Sequence, residues 1–429
     1  MVVPRWGSAG DVVPAIAVGA ELRRRGHDVT FVGNPHFAAM AAQAGLAFEA
    51  VGSRADHQRL MDDADIFGEP RKDPARLYAD HYMDGVGAFY EAVAGRARHG
   101  APVVVGGDLG SAFAAEKLGL PFFSIACSPA SHPLTWSRFD PWHPERVLPR
   151  WAAWLARNGA GLAFLYALRD AVRGSPTTFP RRVAPARPVA LPEPLARFRE
   201  RVGLPRDMRL DPDLVLCMWP EWFAPPQRDW PAQALVAGFP LYPRPRGNGG
   251  ECARGRGPVV VTTGSAAASQ RAFYERAIDA CEALGREAIL VTPHREDVPR
   301  PLPAAISYMA HAPFEEIVPR ASLVVHHGGI GTAAYALAAG VPQVVMPMRG
   351  DQFDNGNRLV RLGVAAMLCP GKTDARHLAR TASRLLGSRR VRRRCEYWKS
   401  RIDPEEGRSR AADAVERLVA RRGPRLENR

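Results

Sequence analysis

The segment with the densest chemical signal is rich in histidine and glycine: His326-His327-Gly328-Gly329-Ile330-Gly331-Thr332. Its glycines let the backbone approach a ligand closely, and the helical pattern that follows offers free N–H groups at a positive dipole end. His327 and Thr332 add side-chain donors, so the segment suits a diphosphate. The alternative is a glycine-rich turn that binds nothing. The segment lacks both the Gly-Lys-Ser/Thr ending of a nucleotide-hydrolysing loop and a complete GxGxxG, which argues against NTP hydrolysis and NAD binding.

Two further loops follow apolar runs. Asp351 and Gln352 come after the run 343–346, and a carboxylate beside an amide offers acceptors and donors for sugar hydroxyls. Asp351 is equally suited to be the N-cap of the next helix. The loop Thr262-Thr263-Gly264-Ser265 ends another apolar run, and Ser265 either faces the phosphates or belongs to a simple turn.

Near the start of the chain, the segment GSAGDVVP joins a predicted strand to a helix predicted from about Val13 to Arg25. Asp11 lies where this loop meets the helix. A carboxylate there would remove a proton from an attacking hydroxyl group. The alternative is again an N-cap, because Asp favours that position and Pro14 suits the first turn of a helix.

These loops are positioned by alternating strands and helices, which predict parallel sheets. The sequence predicts two doubly wound Rossmann-like α/β domains that face each other across a cleft, and such domains bind ligands at the carboxyl ends of their strands. The predicted strands are 2–6, 29–32, 48–51, 103–105 and 122–126 in the first half, and 259–262, 288–291, 306–309, 323–325 and 343–346 in the second.

The length of 429 residues favours two domains, and the Pro- and Gly-rich stretch between them reads as a linker. We place the first domain at 1–240, the linker at 241–257 and the second domain at 258–405. A C-terminal helix at 406–429 is expected to pack back on the first domain.

The net charge of +14 raises the question of nucleic-acid binding. The arginines are spread through helices and no zinc-finger or aromatic RNA-binding signature accompanies them, so we expect no nucleic-acid partner. A basic surface would instead attract phosphorylated donors or an anionic membrane face, as a peripheral association. Scattered cysteines without metal-ligand spacing, and no spanning or signal segment, place the chain in the cytoplasm.

Taken together, these segments resemble glycosyltransferase family 1, whose members have the two-domain GT-B fold and invert the anomeric carbon. The likeness spans nearly the whole chain and is carried by GSAGDVVP, HHGGIGT, AAGVPQVVMP and DQFDN. Within that family the chain is similar to the rhamnosyltransferase catalytic chain of rhamnolipid synthesis and to bacterial antibiotic glycosyltransferases. The resemblance implies transfer of a hexose or deoxyhexose from a UDP- or dTDP-sugar, with no cofactor and no essential metal.

The resemblance also implies a role for each matching residue. Asp11 is the expected general base, and Asp108 compares only loosely with the acidic partner that plant members use. The expected donor contacts are Ser265, His311, His327, Gly329, Gly331, Thr332, Asp351 and Gln352. Among them, His311 stands where relatives place an aromatic residue that stacks on the base.

A small apolar acceptor is expected in the first domain, either a hydroxyacyl lipid or a secondary metabolite. The aromatic residues between 136 and 166 suggest its cavity, although each also fits ordinary core packing. We assign Ser8, Tyr82 and Trp136 as acceptor contacts. Two other functions fit the same fold: a nucleotide-sugar epimerase, which needs no acceptor pocket, and a catalytically silent partner that binds nucleotide sugar and activates another transferase.

Overall fold

The computed structural model describes residues 1–62, 83–100, 102–130, 132, 135, 191–208, 211–242, 257–265, 270–348 and 350–422. Most of the predicted linker lies outside these residues, and so do Tyr82, Trp136 and the other aromatic residues considered for the acceptor cavity.

Seven strands of the described first half form one parallel sheet in the order β3-β2-β1-β4-β5-β6-β7. Their bounds are β1 Val2–Arg5, β2 Thr30–Gly33, β3 Ala47–Ala50, β4 Val104–Gly106, β5 Phe122–Ala126, β6 Leu214–Cys217 and β7 Ala234–Val236. The helices described around this sheet are α1 Ala9–Arg24, α2 Ala38–Gln43, α3 Arg54–Asp62, α4 Met83–Ala97, α5 Leu109–Leu118 and α6 Glu193–Arg201.

The described second half forms a six-stranded parallel sheet in the order β10-β9-β8-β11-β12-β13. Its strands are β8 Val259–Thr262, β9 Ala288–Val291, β10 Ile306–Met309, β11 Leu323–His326, β12 Gln343–Val345 and β13 Ala365–Met367. Its helices are α7 Arg271–Ala283, α8 Phe314–Ile317, α9 Ile330–Ala339, α10 Gln352–Leu362, α11 Ala375–Gly387 and α12 Arg389–Lys399, and the last described helix is α13 Glu406–Arg422.

The strand order reverses at one point in each sheet, between β1 and β4 and between β8 and β11. All of the pairings there are parallel, so the loops that follow these strands leave the same edge of the sheet. Crevices at such reversals are where open α/β sheets bind ligands. The Asp11 loop lies at the first reversal, and the His326–Thr332 loop lies at the second.

An apolar core joins the two halves. Trp219, Phe223 and Phe239 of the first half pack in one cluster with Leu337 and Trp398 of the second. The Trp222 and Trp398 rings stack with centroids 4.6 Å apart. Aromatic side chains bury large areas, so this cluster holds the two sheets together as one structure.

The last described helix, α13, packs on α1 rather than on the second sheet. Ala411 and Val415 are buried in the same core as β1 and α1. Arg25, at the end of α1, contacts Asp413 at 2.5 Å and Glu416 at 2.8 Å. The chain therefore returns to the first domain after completing the second.

The largest departure from the sequence prediction concerns α1, which begins at Ala9 rather than near Val13. Pro14 is consequently inside the helix, and the prediction that it occupies an early helical position is wrong. The helix starts sooner because Ser8 caps it. The strands β6, β7 and β13 were not predicted. Across the described residues, no helix combines the length and apolarity that a membrane crossing requires.

Candidate active site

The start of α1 places a carboxylate at the edge of the first sheet. Ser8 is the N-cap, and both its N–H and its hydroxyl donate to Asp11 Oδ2, at 3.1 and 3.0 Å. Asp11 is therefore not the N-cap; it stands three residues later and completes a capping box. Its side chain remains 43% exposed, so the carboxylate is within reach of a substrate. Ser8 thus contacts this carboxylate, and its assignment as an acceptor contact stays a prediction.

Arg5, which contacts Asp11, and Asp108, which lies near Arg5, had no firm role in the sequence analysis. Arg5 ends β1, and its guanidinium lies 3.6 Å from Asp11 Oδ1. Asp108 is buried after β4 and caps α5, accepting from the N–H groups of Gly110 and Ser111. Burial raises the pKa of Asp108 to about 7, and the nearby charge of Arg5 opposes that rise. Arg5 ends one of the two strands at the reversal and Asp108 follows the other, and that position is the signal by which the sequence could have identified both residues.

The histidine-glycine loop has a specific internal geometry. His326 is buried, its Nε2 lies 2.9 Å from Gln343 Oε1, and its Nδ1 accepts from the N–H of Gly328 at 3.1 Å. Burial lowers the pKa of His326 to about 4, so the ring is neutral and shapes the loop. Gly328 has φ +99°, and a Cβ there would lie 2.7 Å from the Gln352 carbonyl oxygen. Only glycine fits this position.

The His327 imidazole, by contrast, is partly exposed and is flanked by two glycines. A Cβ at Gly264 would approach the ring to 2.7 Å, and one at Gly329 would approach it to 2.5 Å. The loop that carries Ser265 is thus in contact with the His327 loop. Gly329 is the N-cap of α9, so the N–H groups of Gly331 and Thr332 lie in its first turn, where helix N–H groups lack intrahelical partners.

The Ser265 loop is fixed by a residue that the sequence analysis did not single out. The buried Tyr274 hydroxyl lies 2.9 Å from Thr263 Oγ1 and accepts from the Thr263 N–H at 3.1 Å. The hydroxyl of Thr262 accepts from the N–H of Gly264 at 3.0 Å. These bonds hold the end of β8 against the His327 ring.

Asp351 lies at the N-cap position of α10 but its side chain does not cap the helix. Its Oδ2 accepts from Ser128 Oγ at 2.7 Å, across the two halves, and from Asn355 Nδ2 at 3.1 Å. Burial raises the pKa of Asp351, these two hydrogen bonds oppose the rise, and the charge of Asp11 adds to it. Gln352 is buried and its Oε1 accepts from the Met348 N–H.

His311 is exposed after β10, away from the Asp351 contact. Across from it in the first half, the His36 and His57 rings stack at 4.3 Å. Burial lowers the pKa of His36, and the charges of His311 and Arg54 lower it further. The structure therefore brings His311 near the first domain, while Tyr82 and Trp136 lie outside the described residues.

No three His, Cys, Asp or Glu side chains of the described residues are grouped so that they could hold a metal ion. Metal independence stays a prediction. The polar groups at the strand ends of the two sheets are the Asp11 and Asp351 carboxylates, the His327 ring and the first turn of α9.

Both halves match known glycosyltransferase domains. Residues 2–131 match the N-terminal domain of glycosyltransferase family 28, and residues 275–402 match the C-terminal domain typified by erythromycin biosynthesis protein CIII. The chain is 28% identical to O-mycaminosyltylonolide 6-deoxyallosyltransferase of Streptomyces fradiae, over 85% of this chain and 84% of that protein. It is 27% identical to the oleandomycin glycosyltransferase of Streptomyces antibioticus, over 97% and 90%.

Solved structures agree on the fold. The kitacinnamycin glycosyltransferase superposes with a TM-score of 0.68 at 21% identity, covering 97% of this chain and 98% of that one. The glycosyltransferase VinC, solved in complex with dTDP, gives 0.63 at 17% identity, covering 98% and 99%. The predicted GT-B fold is confirmed, and the sequence matches all point to glycosyl transfer. The finer likeness to family 1 and to rhamnosyltransferases stays a prediction.

Proposed function

We propose that this glycosyltransferase of the antibiotic and secondary-metabolite type transfers a hexose or deoxyhexose from a UDP- or dTDP-sugar to a hydroxyl group of a small apolar acceptor, with inversion. One observation carries the proposal. Asp351 of the second domain accepts from Ser128 of the first at 2.7 Å, and the charge of Asp11 acts on Asp351. In this proposal, the base for the acceptor and the carboxylate that binds the sugar are therefore neighbours.

The donor half of the proposal rests on the start of α9. The diphosphate binds at the N–H groups of its first turn, with Gly329 as N-cap and His327 beside it. Negative charge grows on the diphosphate oxygens as the bond to the sugar breaks, and fixed N–H groups stabilise that charge without reorganisation. Ser265 adds a hydroxyl from the neighbouring loop. This arrangement supports the expectation that no metal is needed.

Asp351 is the proposed contact for the sugar. Its carboxylate already accepts from the Ser128 hydroxyl group and the Asn355 amide, and a sugar presents hydroxyl donors like that of Ser128. A sugar hydroxyl would take the place of Ser128 on Oδ2. Gln352 would assist with its amide nitrogen, since its Oε1 already accepts from the Met348 N–H.

In the transfer step, the acceptor oxygen forms a bond to the anomeric carbon while the bond to the diphosphate breaks on the opposite face. The acceptor proton passes to the Asp11 carboxylate, which acts as general base. The exposure of that carboxylate and its fixed position in the capping box support this role.

The names of the relatives favour a macrolide acceptor, and a hydroxyacyl lipid is the other candidate from the sequence.

We also propose a peripheral association with anionic membranes, where an apolar acceptor would collect. Residues 375–395 contain no Asp or Glu. Across α11 and α12 the side chains of Arg376, Arg380, Arg384, Arg389 and Arg393 are exposed. Basic residues near an anionic surface each contribute about 1 kcal/mol of attraction. Cosedimentation with phosphatidylglycerol vesicles, lost when Arg389 and Arg393 are changed to Glu, would support this association; equal binding of that variant would refute it.

The donor is tested first, by thermal unfolding with UDP-, dTDP- and GDP-sugars in the presence of EDTA. A donor that binds only the folded chain raises the melting temperature by mass action. Release of UDP or dTDP is then measured with oleandomycin and with a 3-hydroxyacyl lipid as acceptors. No donor shift and no release with any pair would refute the proposed function, and activity that EDTA abolishes would refute metal independence.

The role of Asp11 is tested with Asp11→Asn and a matched control, Asp56→Asn. Asp56 forms the same capping box at the start of α3, where Ser53 donates from its N–H at 2.6 Å and from its hydroxyl at 2.8 Å. Both variants weaken a cap, but only Asp11→Asn removes the base. We expect kcat to fall by about 10²- to 10⁴-fold in Asp11→Asn alone, with donor binding retained. Near-normal turnover would reduce Asp11 to a helix-capping residue.

A further inference from the structure

The first strand ends in a charged residue that faces inward. Arg5 is the last residue of β1, beside the strand reversal, and its side chain is only 12% exposed. A guanidinium at this depth requires partners, because burying an unpaired charge is costly. The partners identify what Arg5 does.

Arg5 holds Asp11 at two points. Its Nε donates to the main-chain carbonyl oxygen of Asp11 at 3.2 Å, and its Nη2 lies 3.6 Å from Asp11 Oδ1. The same Nη2 donates to the Cys127 sulfur at 3.4 Å. Burial raises the pKa of the Cys127 thiol to about 11, so the thiol is neutral. The positive charge of Arg5 is therefore balanced by carboxylates and not by Cys127. A planar guanidinium has several N–H donors in fixed directions, so it can make these contacts at the same time better than an ammonium group can.

Two glycines create the space for the pair. A Cβ at Gly107 would lie 1.7 Å from Arg5 Nη1, so any side chain there displaces the guanidinium. Gly7 has φ +124°, and a Cβ there would lie 2.6 Å from Asp11 Oδ2. The backbone on both sides is therefore shaped around the Arg5–Asp11 pair rather than around either residue alone.

Arg5 also reduces the electrostatic repulsion among the carboxylates near it. Asp11 and Asp351 approach closely enough for their charges to interact, and the buried Asp108 lies within reach of the charge of Arg5. Like charges repel, and a nearby cation relieves that repulsion. Arg5 supplies this cation between the strand ends.

We propose that Arg5 is a positioning residue that fixes the main chain and carboxylate of Asp11 in the orientation needed for proton removal. This inference rests on the proposed function, because it assumes that Asp11 is the base. Arg5 itself does not contact the substrate in this account. Its contribution is exerted through Asp11.

The test uses Arg5→Met, Arg5→Lys and Gly107→Ala, with kcat and donor KM measured by diphosphate release for the best donor–acceptor pair of the panel above. We expect kcat to fall by about 10- to 100-fold in Arg5→Met with donor KM unchanged, which is the effect of misplacing a catalytic group by about 1 Å. Arg5→Lys should recover part of that loss. Gly107→Ala keeps the arginine but moves its guanidinium, so it should reproduce the loss.

The matched controls are Arg24→Met and Gly95→Ala. Arg24 is an exposed arginine of α1 paired with Glu21, and a Cβ at Gly95 would meet nothing within 4 Å. Both controls should retain full turnover. Equal losses in the controls would mean a general effect on folding and would overturn the inference.

The deciding measurement is the double variant Arg5→Met with Asp11→Asn. If Arg5 acts through Asp11, adding Arg5→Met to Asp11→Asn costs no further activity. The same fold loss in both backgrounds would show that Arg5 acts on its own and would overturn the inference. If Arg5→Met has normal turnover while Asp11→Asn is inactive, the inference about Arg5 is overturned and the proposed function stands. Normal turnover of Asp11→Asn would overturn the proposed function and the inference with it.

Discussion

Replacing the buried Asp108 by Asn should stabilise the protein, and the gain should grow with pH. The pKa of Asp108 rises from 3.8 to about 7 because of burial. Between those values the unfolded chain ionises this carboxyl group while the folded chain keeps it protonated, so rising pH favours the unfolded state. One pKa unit corresponds to about 1.4 kcal/mol. Relative to a pH below both pKa values, the free energy of unfolding of the wild-type chain is therefore lower by about 2 kcal/mol at pH 5 and by about 4 kcal/mol above pH 7. Asn cannot ionise and its Oδ1 still accepts from the N–H groups of Gly110 and Ser111.

The measurement is the melting temperature of Asp108→Asn and the wild type by calorimetry at pH 4, 5 and 8. The 429 residues unfold together, with an entropy of about 2.1 cal/mol/K per residue, so 1 kcal/mol shifts the melting temperature by about 1 °C. We therefore expect a rise of about 4 °C at pH 8 and almost none at pH 4. Asp374→Asn is the matched control, since Asp374 also caps a helix, accepting from the His377 N–H at 2.6 Å, but is exposed. A variant that is less stable than wild type at pH 8 would refute the reasoning, because it would mean that Arg5 stabilises an ionised Asp108.

Three further substitutions test the donor loop, the domain junction and the returning helix. Gly328→Ala should raise the Kd for dTDP about tenfold, because left-handed backbone with a side chain costs about 1 to 2 kcal/mol and its Cβ would meet the Gln352 carbonyl; isothermal titration measures it. Trp398→Ala removes the ring stacked on Trp222 and should destabilise the chain by about 3 to 5 kcal/mol, splitting one calorimetric transition into two. Arg25→Ala should cost about 2 kcal/mol and speed protease cleavage of α13, since charged hydrogen bonds to α13 are lost.

Each of these substitutions has a control variant that should behave like the wild type. A Cβ at Gly371 meets nothing within 4 Å, so Gly371→Ala should bind dTDP normally. Tyr397 is 42% exposed beside Trp398, so its truncation should leave one unfolding transition. Arg24 has a side chain that is 70% exposed, and Arg24→Ala should leave α13 protected. A change in a control equal to that in its partner would contradict the structural explanation offered for that partner.

Continuous apolar runs made the buried strands predictable. Phe122–Ala126, Val259–Thr262 and Ala288–Val291 have the predicted bounds, because strands buried on both faces are mostly apolar. The edge strand Ile306–Met309 also has the predicted bounds, although Ser307 is exposed. The strand Ala365–Met367 escaped prediction because it lies at the sheet edge, is only partly buried and begins with two alanines, a residue type depleted in strands.

Local sequence also placed the loops of the candidate site, but not the contacts between them. The glycine-rich pattern indicated where His327 lies, whereas the structural role of His326 depends on Gln343, which is seventeen residues away. The Ser128–Asp351 bond joins residues more than two hundred positions apart. Such pairings arise only when the two sheets pack, so no spacing along the chain encodes them.

The return of α13 to α1 has a consequence for exchanging parts between transferases. A chimera that imports another donor-binding half with a single junction before β8 would also import a foreign last helix. That helix would have to meet Arg25 and bury its own counterparts of Ala411 and Val415 against α1. Donor specificity should therefore be transplanted with two junctions, the second placed between α12 and α13, so that the host keeps its own terminal helix.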